Sequence, residues 1–149
     1  METIDRMDYH YGGNFPKDLE YVCAGTHIGM YLAWIILNNL ENPKLHEGAK
    51  NEIELLKKRE ITGREFLIGN LDEKFLDSDL NEEGLAFTKS YYLNGEDYGE
   101  FIHNYISIFA NDIKNKNSIY GVEDTWENYD NIEPFITKKY IEWKKTRVS

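Results

Sequence analysis

Four histidines, one cysteine and 27 carboxylates are the side chains of this 149-residue sequence with the most chemistry to offer. His10, His27, His46 and His103 show no His-Glu-x-x-His spacing, so no helix presents the paired imidazoles of a zinc protease. His27 falls in the first turn of the most apolar segment. An imidazole at a helix N-terminus stays neutral, which suits ligation or acid–base work. A ring that simply bonds a neighbouring backbone group or carboxylate fits the same position. His10 and His27, each with nearby carboxylates, are the residues an enzyme would use. Cys23 precedes the apolar helix and reads as an inert core thiol. Being the single cysteine, it excludes an internal disulfide and any multi-cysteine zinc site.

A second cluster runs from Glu123 to Asp130, where Asp124, Glu127 and Asp130 flank Trp126 and Tyr129. Paired carboxylates there suit acid–base chemistry; helix capping and solvation account for them as well. Asp77-x-Asp79-x-Asn81 opens like a calcium loop. The sixth position is Glu82 instead of glycine and the twelfth is Thr88 instead of glutamate, which excludes an EF-hand. No Gly-x-Ser-x-Gly elbow, phosphate loop or dinucleotide fingerprint is present. Neither a cofactor nor a metal is implied.

The net charge of -10 is concentrated. Residues 71–100 carry Asp72, Glu73, Asp77, Asp79, Glu82, Glu83, Glu96, Asp97 and Glu100 against only Lys74 and Lys89, a net of -7. Such a stretch is a solvated face, or a docking surface whose negative field speeds encounter with a basic partner. Nucleic acid is excluded as a partner, because phosphate binding needs clustered Lys and Arg. The longest apolar stretch, Ala24 to Leu40, is broken by Gly25, Thr26, His27, Gly29, Asn38 and Asn39. It reads as a core helix and not a membrane span. With no basic-then-apolar opening and a lone cysteine, a cytoplasmic protein is expected.

The elements that must position these residues are helical. Thr26 is a candidate cap for the apolar helix, which Pro43 stops. Lys44 to Arg59 reads as one amphipathic helix with Leu45, Ala49, Ile53 and Leu56 on its inner face. Thr62-Gly63-Arg64-Glu65 is a capping box, and Asn81 starts a further segment, read as a helix in preference to a strand over Ala86 to Leu93. Asp97 to Asp112 carries the widest apolar stripe; Ser118 to Val122 suits a short extended piece. Pro134 fits only a first helical turn, so a last helix is expected to begin around Ile132 or Glu133. Gly12 and Gly13 let the chain turn so that Phe15 and Pro16 dock. The expected fold is all-α, an irregular bundle of about six or seven helices with room for one short extended segment. It is a single domain over residues 1–149, with 1–24 an irregular segment docked on it. Tyr31, Trp34, Ile35, Phe101, Ile102, Tyr105, Tyr140 and Trp143 are expected to share one core.

Three stretches carry a resemblance: Asp8-Tyr9-His10-Tyr11-Gly12-Gly13-Asn14-Phe15-Pro16, Ala24-Gly25-Thr26-His27-Ile28-Gly29-Met30-Tyr31-Leu32-Ala33-Trp34, and Glu123 to Asp130 with the residues up to Trp143. The chain resembles a family of small bacterial proteins of unknown function along nearly its whole length. The resemblance implies similarity to immunity proteins, which bacteria use to neutralise toxins delivered between competing cells. Those proteins are small, acidic and cytoplasmic, and act by binding. The leading expectation is therefore a non-enzymatic binding protein that occludes a basic toxin domain. An enzyme using His10 or His27, and an adaptor whose acidity serves solubility, are the alternatives.

Overall fold

The computed structural model describes residues 2–93 and 99–147. The chain is predominantly helical, as its periodicity indicates, but it is not all-α. β1 (Thr3–Arg6) pairs antiparallel with β2 (Lys74–Leu76) in a two-stranded sheet. The N-terminal region carries regular structure at its start, where β1 leads into α1 (Asp8–Tyr11) with fully buried Met7 between them, and is irregular from residue 12 to 20. Strands of four and three residues are too short for an alternating pattern to declare itself.

A 3-10 turn, Tyr21–Gly25, feeds α2 (Thr26–Leu37), which runs through the middle of the molecule. Every residue from Thr26 to Ile36 is buried, so α2 is packed on all sides, as its near-continuous apolarity requires. Thr26 is its first helical residue and not its cap. α5 (Gly63–Asn70) crosses α2 where Gly29 meets Gly63. A Cβ on Gly63 would lie 1.8 Å from the Gly29 carbonyl oxygen, so only glycine permits this approach. The expected capping box starts α5: the Glu65 amide donates to Thr62 Oγ1 at 3.2 Å and the Thr62 amide donates to Glu65 Oε1 at 3.0 Å.

The remaining expectations divide. Lys44–Arg59 is two helices, α3 (Pro43–Gly48, capped by Asn42) and α4 (Lys50–Lys57), because the chain bends at Ala49 to bury it. Asn81 caps α6 (Glu82–Tyr91), accepting from the Gly84 amide at 2.7 Å. The stripe expected over 97–112 forms α7 (Gly99–Ile108) and α8 (Ala110–Lys116), separated at Phe109, whose ring turns into the core. Residues 119–121 form a 3-10 turn, not an extended piece. α9 (Trp126–Arg147) starts well before Ile132, with the Asn128 amide donating to Thr125 Oγ1 at 3.1 Å. Pro134 is therefore inside the helix. It sits on an exposed face beside exposed Asp130, where the carbonyl freed of its amide partner meets water.

Of the expected core, Tyr31, Trp34, Ile35, Phe101 and Tyr105 are buried, while Ile102, Tyr140 and Trp143 pack against it half-buried. Tyr31 gathers the rings: Phe101 lies 5.2 Å and Tyr92 4.8 Å from it. Trp34 Nε1 donates to Thr137 Oγ1 at 3.0 Å and so holds α9 to α2. No helix among the described residues is long and apolar enough to cross a membrane.

Candidate functional site

The sheet, α1 and the start of α2 converge on one cleft of about 810 Å³. Its floor is polar. Asp5 enters from β1, where the register shifts between Thr3 and Asp5. A regular strand would send Ile4 and Asp5 to opposite faces; the irregularity re-aims the backbone, and both residues line the cleft. His10 comes from α1 and His27 from the first turn of α2. Tyr92 closes α6, and Tyr120 sits in the 3-10 turn.

Asp5 is the hub. His10 Nε2 lies 2.9 Å from its Oδ1, Tyr92 donates its hydroxyl to Oδ2 at 2.5 Å, and His27 Nε2 faces Oδ2 at 3.5 Å. The two imidazoles meet edge to face with centroids 4.6 Å apart. The other nitrogen of His10, Nδ1, is 2.8 Å from the Tyr120 hydroxyl, and Phe15 supports that phenol ring at 4.9 Å. Phe15 thus docks as expected, onto a residue of the site. His10 accommodates two proton arrangements. Either Nε2–H donates to Asp5 while Tyr120 donates to Nδ1, or Nδ1–H donates to Tyr120 and Nε2 offers a lone pair.

Burial favours the protonated form of Asp5, but the hydrogen bonds and charges of His10 and His27 outweigh it and hold the carboxyl well below the usual range. Burial pushes His27 below the ordinary imidazole value, against the opposing pull of Asp5. Burial, reinforced by Asp5, raises the Tyr92 hydroxyl well above the usual phenol value. The walls above this floor are apolar, with Phe101, Ile102, Ile106 and Ile119, and exposed Tyr9 at the rim.

Among the described residues, the other expected ones lie outside this cleft. Asp72 is exposed and pairs loosely with Lys74 at 3.7 Å, and the Glu73 carboxylate accepts from the Tyr11 hydroxyl at 3.1 Å. Asp79 accepts from the Leu76 amide at 2.8 Å, and burial raises its pKa. It belongs to a 3-10 turn, Asp77–Asp79. Glu83 takes the Tyr140 hydroxyl, and Glu100 pairs with Lys139 at 3.0 Å. Asp77 is half-buried and Glu82 exposed. Glu96 and Asp97 lie outside the described residues.

In the 123–130 cluster two of the carboxylates are held by neighbouring side chains. Asp124 accepts from Thr62 Oγ1 at 2.6 Å and lies 3.2 Å from Arg64 Nε. Burial raises the Asp124 pKa against those two partners. Asp130 is held bidentately by Arg59 at 2.7 and 2.9 Å, and the same guanidinium lies 4.7 Å from the centroid of the Trp126 ring. Glu127 is exposed.

Sequence reasoning singled out His10 and His27 separately but missed Asp5, Tyr92 and Tyr120. No local spacing connects them: Asp5 and Tyr92 are 87 residues apart, His10 and Tyr120 110. The one available signal was the abundance of tyrosine, 11 in all.

No curated protein and no solved structure gives a significant match to the chain. A family match covers residues 3–122, a span that takes in the whole polar floor from Asp5 to Tyr120 and stops short of α9. On that match the chain belongs to the DUF7832 family, described as a domain of unknown function.

Proposed function

We propose that the protein acts on a small molecule in the cleft, with His10 as the acid–base group. The observation that carries this is His10 itself, bridging Asp5 at 2.9 Å and Tyr120 at 2.8 Å on the floor of the cleft. A volume of about 810 Å³ lies within the range of small-molecule sites, and so does the plan of apolar walls with a few convergent polar groups. A ligand would pack its apolar part against Ile102 and Ile106 and turn its polar end to His10 and Tyr120. Asp5 orients the imidazole through Nε2, and Nδ1 takes the Tyr120 phenol proton as that phenol oxygen takes one from the bound group, the reverse step returning it.

Native mass spectrometry after exposure to a fractionated metabolite extract tests the reading. A retained small molecule is expected on the unmodified protein and not on Ile106→Trp, which narrows the cleft at an exposed position. Retention unaffected by that substitution, or no retention at all, refutes it.

A second reading, an immunity protein that occludes a basic toxin domain, is favoured by the exposure of Asp72, Glu82 and Glu100 in the acidic stretch, together with exposed Tyr9 and Tyr21. Charge at such a surface acts on association more than on dissociation. Reversing Asp72 and Glu82 to lysine should slow the on-rate for a basic partner and flatten its salt dependence. Asp79 and Glu83 are unsuitable for reversal, because they hold Leu76 and Tyr140. An on-rate indifferent to salt and to both reversals removes this reading.

A further inference from the structure

Two imidazoles and a carboxylate converge on one point of the cleft floor. One ligand atom each from Asp5, His10 and His27 lie within 4.8 Å of one another. Donors bound to a tetrahedral zinc at about 2.0–2.1 Å stand about 3.3 Å apart. His10 Nε2 stands 2.9 Å from Asp5 Oδ1 and His27 Nε2 3.5 Å from Oδ2, so each imidazole is near that spacing from its own carboxylate oxygen, and the three donors draw together as an ion binds. An ordinary Asp–His pair explains His10; it does not explain a second imidazole turned to the same carboxylate from a different helix.

The surroundings have the character of a metal centre's outer layer. A metal-bound histidine donates its other ring nitrogen to an oxygen, and a ligating carboxylate is itself hydrogen-bonded. His10 Nδ1 meets Tyr120 Oη at 2.8 Å, and Asp5 receives the Tyr92 hydroxyl. All three donors stand on regular elements, β1, α1 and α2, and His27 belongs to the most deeply packed of them.

We propose that Asp5, His10 and His27 bind one divalent transition metal ion, zinc or ferrous iron, with its open positions facing the cleft. Two imidazoles and one carboxylate form a ligand set of intermediate softness, which favours these ions over magnesium and calcium. His10 then ligates through Nε2 and donates Nδ1–H to Tyr120, which selects the second of its two proton arrangements. A divalent ion beside one carboxylate and two neutral rings leaves one positive charge. In a chain of net charge -10, that is a local site for an anionic oxygen, a carboxylate or phosphate group on the cleft's ligand. This deepens the small-molecule reading and rests on the cleft being the working site. The acid–base duty passes from His10 to an oxygen held by the ion.

Cobalt(II), which absorbs visibly in low-symmetry sites, is the probe, titrated into the untagged full chain. The expected result is a visible band saturating at one ion per chain, displaced by zinc and untouched by magnesium. His10→Gln and His27→Gln should each weaken binding at least about tenfold. Tyr120→Phe keeps all three ligands and removes only the outer oxygen, for an expected loss of about 10–100-fold. If either glutamine variant fails to fold, Tyr120→Phe decides, since Tyr120 is only half-buried. No band in the unmodified protein overturns the proposal, as does a band unchanged in folded His27→Gln or in Tyr120→Phe. Cobalt binding is read with no cleft ligand present. Its absence beside intact Ile106-dependent retention of a small molecule removes the metal site alone. A normal cobalt titration without such retention removes the small-molecule reading alone.

Discussion

Gly63→Ala is the substitution that most directly probes how the site is held. Gly63 begins α5, and a β-carbon there would sit 1.8 Å from the Gly29 carbonyl oxygen and 3.0 Å from Ala33 Cβ. Ordinary contact begins at 3.4 Å, so the first approach is about 1.6 Å short, and the obstructing atom is backbone. No rotamer change relieves it; α5 and α2 must separate. Overpacking a core costs about 1–3 kcal/mol where side chains can give, and a fixed backbone obstacle places this case at or above about 3 kcal/mol. That is a large share of a stability of about 5–15 kcal/mol. Gly69 on the same helix supplies the control, since nothing lies within 4 Å of its added carbon. There alanine gains up to about 1 kcal/mol from helix propensity. Urea unfolding followed by circular dichroism should therefore give opposite signs for one chemical change at two positions of one helix. The effect reaches the cleft, because α5 runs through residues 71–73 into β2, which pairs with the strand bearing Asp5. A Gly63→Ala protein within about 1 kcal/mol of the parent would refute the close approach and the argument built on it.

Thr62→Ala removes the hydroxyl that accepts from the Glu65 amide and donates to Asp124, and should cost about 1–2 kcal/mol or more by urea unfolding. Tyr31→Phe leaves the buried Thr88 hydroxyl without the phenol 2.9 Å away and should cost about 1–3 kcal/mol. Adding Thr88→Val should recover part of that loss, and strict additivity would show the pair uncoupled. Tyr31, Tyr91, Tyr105 and Tyr129 have pKa values raised by burial, so above about pH 10 the unfolded chain releases protons that the native one keeps. Stability from these groups is full below that pH and falls above it, by up to about 1.4 kcal/mol per pH unit for each. Their tyrosinate absorbance should appear only with unfolding; smooth titration in the folded protein would contradict their burial.

What the sequence shows and what it hides divide along a physical line. α2 is legible because a segment buried on every side must be apolar on every side. The starts of α5 and α6 are legible because Thr62 and Asn81 satisfy amides a few residues away, a local duty with a local spacing. Interruptions are harder, since Ala49 and Phe109 break helices in order to enter the core, and only the partners that bury them reveal it. The site is the extreme case. His27 is visible in the sequence because it is a polar residue in an apolar helix, yet its position does not say what it faces. The answer is Asp5, placed by a strand of four residues whose partner begins 68 residues after that strand ends. Tyr92 lies just past the end of α6 and Tyr120 within a 3-10 turn, where periodicity carries no information about direction. An aspartate largely shielded from solvent, with one phenol and two imidazoles aimed at it, is satisfied chiefly by those three groups. Such mutual satisfaction is a property of the closed fold, and no window of sequence contains it. Reading this chain from its sequence therefore finds the helix that carries the site and two of its side chains, while the carboxylate that joins them emerges only when β1 meets β2.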